Sequence, residues 1–87
     1  MISIELYSKN DCSLCVRAKE TILRVQQTIP FTFSEILLVP GTDIEREFRH
    51  DIPVLRVNGR FHSRHSISET DLLHDLMKLR SIERTGQ

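Results

Sequence analysis

The sequence has no surplus of either charge. Twelve Lys and Arg residues balance twelve Asp and Glu. A nucleic-acid binder normally carries a basic excess to neutralise phosphates, so no nucleic-acid partner is expected. The same balance argues against docking on an anionic membrane surface. Long hydrophobic runs are also missing. The longest, such as Ile36-Leu37-Leu38-Val39, are too short to span a bilayer. There is no internal repeat, no linker and no low-complexity stretch. Met1-Ile2-Ser3-Ile4-Glu5-Leu6 lacks the basic region and long apolar segment of a secretion signal, so a cytoplasmic location is expected. Cysteine is scarce, at two residues. In a reducing compartment two cysteines do not suggest a permanent structural bridge.

What is present is enough for one folded unit. The chain has 87 residues, 39% hydrophobic and 28% charged, which suits a single small domain and excludes a disordered chain. Ile2, Ile4 and Leu6 alternate, predicting a strand over 2–7. Leu14, Ala18, Ile22, Val25 and Ile29 recur at spacings of three and four, predicting a helix over 12–29 that Pro30 stops. On this pattern Leu14 packs into the core. Residues 31–38 read as a second strand, and Pro40-Gly41 as a turn. Thr42 with Glu45 is a capping-box signature for a short helix near 43–50, with Ile44 and Phe48 one turn apart. A strand at 53–57 meets a strand at 60–63 through Asn58-Gly59, a strong hairpin signal. Ser68 caps a last helix, stapled by Ile67 and Leu72, that ends near Ile82. Residues 1–82 thus form one domain and 83–87 a tail. The order is β-α-β-α-β-β-α. Strands joined across helices imply parallel pairing, and the tight turn implies one antiparallel pair, giving an α/β fold on a four-stranded mixed sheet.

The two cysteines, Cys12 and Cys15, are the chemical centre of the sequence. Random placement would give this spacing in only about 2% of cases. The pair follows the first strand and opens the first helix. Unpaired N–H groups and the helix dipole favour an anion there, and a thiolate is such an anion. Cys12 is expected to be acidified from about 8.5 into the range of roughly 3.5–7.5. Cys15 lies on the same helix face, a turn deeper. Cys12 is then the attacking thiol and Cys15 the resolving one. Asp11, directly before Cys12, opposes this acidification somewhat. Two other uses of the pair stay open: small buried core residues, or half of a metal site with His62 and His65. The gap between Cys15 and His62 far exceeds the usual zinc-finger spacing of about 12–15, and no metal is expected. Pro53, in Asp51-Ile52-Pro53-Val54, either starts a strand in trans or forms a cis bond across from Cys12. In the second case the Ile52 N–H and C=O are free to pair with an extended substrate.

Leu6-Tyr7-Ser8-Lys9, Cys12-Ser13-Leu14-Cys15, Ile52-Pro53-Val54 and Asn58-Gly59-Arg60-Phe61 together resemble a glutaredoxin. The resemblance is to the short glutaredoxin-like proteins with a Cys-x-Leu-Cys motif, in the thioredoxin superfamily, and covers about residues 2–80. It implies a thioredoxin-like fold, Cys12 as nucleophile and a cis bond at Pro53. Lys9 and Tyr7 stand where the family places a lysine and a tyrosine facing glutathione. Lys9 would steady the thiolate or pair with a glutathione carboxylate; otherwise it is a solvated lysine, and Tyr7 a core tyrosine. The sequence departs from the family in two further places. The motif lacks the Pro-Tyr interior, and Ser63-Arg64 replaces the usual glycine pair. The expected activity is thiol–disulfide oxidoreduction on a protein or glutathione disulfide. The alternative is a non-catalytic binding or redox-sensing module of the same fold. No tightly bound cofactor is expected, with glutathione as the candidate reductant, and the chain is expected to act as a monomer.

Overall fold

A computed structural model describes residues 1–85. Its elements are β1 (Ser3–Ser8), α1 (Ser13–Gln26), β2 (Thr32–Leu37), α2 (Asp43–Phe48), β3 (Val54–Val57), β4 (Arg60–Arg64) and α3 (Glu69–Thr85). The order matches the sequence expectation. The four strands form one sheet in the order β2-β1-β3-β4. β1 and β2 are parallel, with Leu6 opposite Glu35 and Ser8 opposite Leu37. β3 runs antiparallel to both β1 and β4.

That second antiparallel pair corrects the expectation of one. β3 does not pair with β2, the strand before it. It joins the far side of β1, running in the opposite direction. The hairpin is as the sequence indicates. Asn58 and Gly59 both have positive φ, at 52° and 79°, as a two-residue turn of the mirrored kind requires. Asn58 also closes the other end of the sheet, because its Oδ1 accepts the Ser3 N–H at 2.9 Å.

The sheet divides the side chains. Ile4 and Leu6 of β1 and Leu55 and Val57 of β3 face α1 and α3. There they pack with Ala18, Ile22, Val25, Leu72 and Leu76, all buried. On the opposite face Tyr7 stacks on Phe48 of α2, with ring centroids 5.0 Å apart. Leu14 departs from its expected place and is 42% exposed. Leu14 and Cys15 stand four and three residues before Ala18, and of the two Cys15 takes the place in the core. Ile44 likewise lies outside, and only Phe48 of its pair packs inward.

The helix ends show why the boundaries fall where they do. Cys12 has extended backbone and caps α1 rather than belonging to it. Past Gln26 the chain turns before Pro30, yet Ile29 stays buried. Thr42 caps α2 by accepting the Glu45 N–H at 3.3 Å. Glu45 reaches back to the Gly41 N–H at 3.2 Å, one residue earlier than a standard capping box. Ser68 accepts the Asp71 N–H at 3.2 Å. Ile67 and Leu72 both pack on the core, as a staple should. α3 runs to Thr85, past the expected end at Ile82. The rest of the expected tail, 86–87, lies outside the described residues.

The contrast between adjacent α1 positions is testable. Ile22 is fully buried and Leu23 is 40% exposed. Ile22→Ala should cost about 2–5 kcal/mol in urea unfolding, and Leu23→Ala less than about 1 kcal/mol.

Candidate redox site at the start of the first helix

The site forms where β1 ends, α1 begins and β3 enters. Asp11 adopts the left-handed region, at φ 57°, and turns the chain out of β1 into the helix. Cys12 follows as N-cap, with φ −119° and ψ 106°. Its Sγ accepts the backbone N–H of Cys15 at 3.2 Å. Its carbonyl accepts the Val16 N–H at 3.1 Å, starting the helical ladder. α1 has no acidic residue in its first turn, so nothing within the helix offsets the positive end of its dipole.

Burial separates the two cysteines. Cys12 is half-buried and reachable from solvent. Cys15 is 3% exposed and packs with Tyr7, Leu38, Ile52 and Val54. The two are joined by a disulfide, with Cα atoms 5.2 Å apart. That separation lies inside the usual range for such bonds.

The remaining expected residues lie around this pair. The Ile52–Pro53 bond is cis. Both residues are buried, and Ile52 packs in the cluster that holds Cys15. The β1–β3 ladder ends at Tyr7 and Val54. Among the described residues, no backbone partner takes up the Ile52 N–H or C=O. The His65 N–H donates to the Pro53 carbonyl at 2.8 Å, and a His65 ring nitrogen lies 3.0 Å from the His50 carbonyl. The end of β4, which holds Ser63 and Arg64, is thereby tied to the proline. Lys9 is exposed and lies on the rim of two recesses. Tyr7 is 5% exposed; its ring lies beneath the site, and its hydroxyl accepts from Arg56 at 3.0 Å.

The larger recess is an open groove of about 900 Å³ between α1 and the edge strand β2. Lys9, Asp11, Cys12, Cys15, Lys19 and Glu35 line it, with Val16, Leu23 and Leu37 as apolar wall. The smaller, about 240 Å³, is bordered by Lys9, Arg49, His50 and Ile52. Lys9 and Arg49 are the groups there that could meet an anion, although Arg49 also pairs with Glu45 at 3.0 Å. Among the described residues no three His, Cys, Asp or Glu side chains converge to hold a metal. His62 instead bonds Asp75 of α3 at 2.8 Å.

One polar chain in the groove went unread in the sequence. Glu35 accepts from Lys19 Nζ at 3.0 Å and from the buried Ser8 hydroxyl at 2.9 Å. The Lys19 hydrogen bond holds the Glu35 carboxyl below its ordinary value. Partial burial opposes this, and the Ser8 bond and the Lys19 charge reinforce it. Lys19 lies one turn beyond Cys15, which the sequence does show. The strand register that brings Glu35 to it is not a local signal.

This architecture is that of a thioredoxin-fold protein with a dithiol at a helix start. Structural likeness supports the fold. Thioredoxin 1 from Thermosipho africanus superposes with a TM-score of 0.69 at 12% identity, covering 95% of this chain and 99% of that one. A thioredoxin-2 described as a component of the malaria parasite protein secretion machinery gives 0.66 at 18%, covering 90% and 82%. The chain belongs to the glutaredoxin-like domain family (DUF836), whose model matches residues 3–77. It is also 33% identical over 87 residues to the glutaredoxin-like protein YDR286C homolog of Dictyostelium discoideum, covering 86% of this chain and 75% of that protein.

The Glu35 contact gives a pH dependence with a definite sign. A carboxyl with a depressed folded value contributes stability above its unfolded value. That contribution is lost as pH falls below 4.5 and through the lower folded value. Glu35→Gln should therefore flatten the acid limb of stability against pH in that window. In the unchanged chain, carbon-detected NMR titration should place the Glu35 midpoint below 4.5, and Lys19→Met should raise it.

Proposed function

We propose that this chain is a thiol–disulfide oxidoreductase acting on a protein or glutathione disulfide. The observation that carries this is the Cys12–Cys15 disulfide at the start of α1, with Cys12 the accessible sulfur and the Cys15 N–H directed at it. Membership of the glutaredoxin-like family supports it.

In the reduced chain Cys12 is held as a thiolate by the helix N-terminus and the Cys15 N–H. It attacks one sulfur of the substrate disulfide. A mixed disulfide forms, and the first substrate sulfur leaves as a thiolate that takes a proton from solvent. Cys15 then loses its proton and attacks Cys12 Sγ. The Cys12–Cys15 bond closes and the second substrate thiol leaves. Two electrons pass from the cysteine pair to the substrate. Glutathione or another cellular thiol resets the pair.

The surroundings fit this sequence of steps. The unpaired Ile52 N–H and C=O offer an extended substrate a place to align beside Cys12. Lys9, on the rim of both recesses, supplies a cation for the thiolate or for a substrate carboxylate. Tyr7 acts from below, as packing for the Cys15 end. The chemistry needs one chain only and suits a reducing cytoplasm.

Cys12→Ser should abolish reduction of insulin and of a glutathione mixed disulfide, whereas Cys15→Ser should accumulate a covalent adduct visible by mass spectrometry. The alkylation rate of reduced Cys12 against pH should show a midpoint well below about 8.5, in the range of roughly 3.5–7.5. Full activity in Cys12→Ser would overturn the proposal.

A further inference from the structure

The groove holds a cation that the redox steps above leave without a role. Lys19 is four residues after Cys15, so both project from one face of α1 on successive turns. Both line the same groove. Lys19 is not a free surface lysine, because Glu35 fixes its ammonium at 3.0 Å. Glu35 is fixed in turn by Ser8, which is 1% exposed and sits on the last residue of β1. A buried hydroxyl thus anchors a carboxylate, and the carboxylate holds a cation on the groove that the buried sulfur also borders.

We propose that Lys19 tunes the resolving thiol: it stabilises the Cys15 thiolate as that thiol prepares to attack the mixed disulfide, and Glu35 is its positioning residue. This rests on the thiol–disulfide function above and assigns its second step.

The need is physical. Cys15 is nearly buried, and burial in apolar surroundings disfavours a thiolate. Cys12 carries the helix-start position and the N–H directed at it; Cys15 has neither. The step requires Cys15 to release its proton to solvent. Its lone pair then forms the bond to Cys12 Sγ, while the bond from Cys12 to the substrate breaks and the substrate leaves as a thiolate. A nearby cation favours the charged form at the start of this step. The other ionisable groups on the groove are Lys9, Asp11, Glu20 and Glu35. On the opposite side of Cys15 the packed ionisable group is Tyr7, whose hydroxyl is engaged by Arg56. Lys19 is the groove cation on the same helix face as the sulfur, and Glu35 is the anion that moderates it.

The test uses the full chain with Cys12→Ser, reduced, and follows the Cys15 thiolate by ultraviolet absorbance against pH. Lys19→Met should raise the midpoint, cutting the thiolate fraction below it by about threefold to tenfold. Lys19→Arg should keep it near the parent. Glu35→Gln, whose amide oxygen still accepts from Lys19 and so keeps it in place while removing the compensating charge, should move it the other way. In the dithiol chain, Lys19→Met should slow release from a preformed Cys12 mixed disulfide by a similar factor. A midpoint unmoved by Lys19→Met, or moved in the same direction by both substitutions, overturns the proposal. The titration reads Cys15 whether or not any disulfide is reduced. A chain that shifts as described but fails the insulin and mixed-disulfide assays therefore sinks the oxidoreductase function and not the Lys19–Cys15 coupling.

Discussion

The contact from the Cys15 N–H to the Cys12 sulfur organises the rest of the site. A helix leaves its first N–H groups without partners, and side-chain oxygens usually fill that place. Thr42 and Ser68 do so for α2 and α3, each accepting the N–H three residues on. α1 uses the same geometry with sulfur in place of oxygen. Sulfur is a weak acceptor as a thiol or disulfide and a much better one as an anion. On the proposed function, the cap therefore gains strength when the disulfide opens and Cys12 becomes a thiolate. Reactivity and local structure are then coupled through one bond.

The division of labour between the sulfurs follows from the same placement. A cap residue lies half outside its helix, and Cys12 is half-buried accordingly. Cys15, on the first turn, falls on the inward stripe with Ala18 and Ile22. No separate device is required to make one thiol accessible and the other enclosed. The cost is that the enclosed thiol lacks the help its partner receives. The Ser8–Glu35–Lys19 chain lies on the groove that Cys15 also borders. It stands at the C-terminal ends of β1 and β2, where the parallel pair and the start of α1 converge.

Much of this was legible in the residues. The alternation at Ile2-Ile4-Leu6, the Asn58-Gly59 turn and the Ser68 cap are local signals, and each element appears where they put it. The cysteine pair at a helix start was legible for the same reason. The errors share a different cause. Leu14 and Cys15 both satisfy a helical spacing to Ala18, and periodicity alone does not say which one the sheet will cover. The antiparallel β1–β3 pairing depends on which side of β1 the returning chain joins, which is a matter of topology. Glu35 was invisible because its role arises from the parallel register that sets it opposite Leu6. Nothing in Phe33-Ser34-Glu35-Ile36 marks that residue out.

The fold likeness and the site differences bear on different things. At 12% and 18% identity, the two thioredoxins share a backbone course with this chain and little of its side-chain chemistry. In this chain that course carries the Cys12 sulfur at the start of α1 and the cis Ile52–Pro53 bond before β3. It does not fix the field around that sulfur. Here the chain as a whole carries no net charge, so the field is set by close neighbours rather than by a global potential. Asp11 lies just before Cys12, while Lys19, paired with Glu35 of β2, lies one turn beyond Cys15. The first cysteine therefore carries an adjacent anion against its helix dipole, and the second a tethered cation against its burial. On the roles proposed above, both features narrow the difference between the two thiols that the backbone alone would create. On the proposed function, a Cys15 brought closer to ionisation attacks the mixed disulfide more readily, which favours closing the Cys12–Cys15 bond over holding a substrate on Cys12.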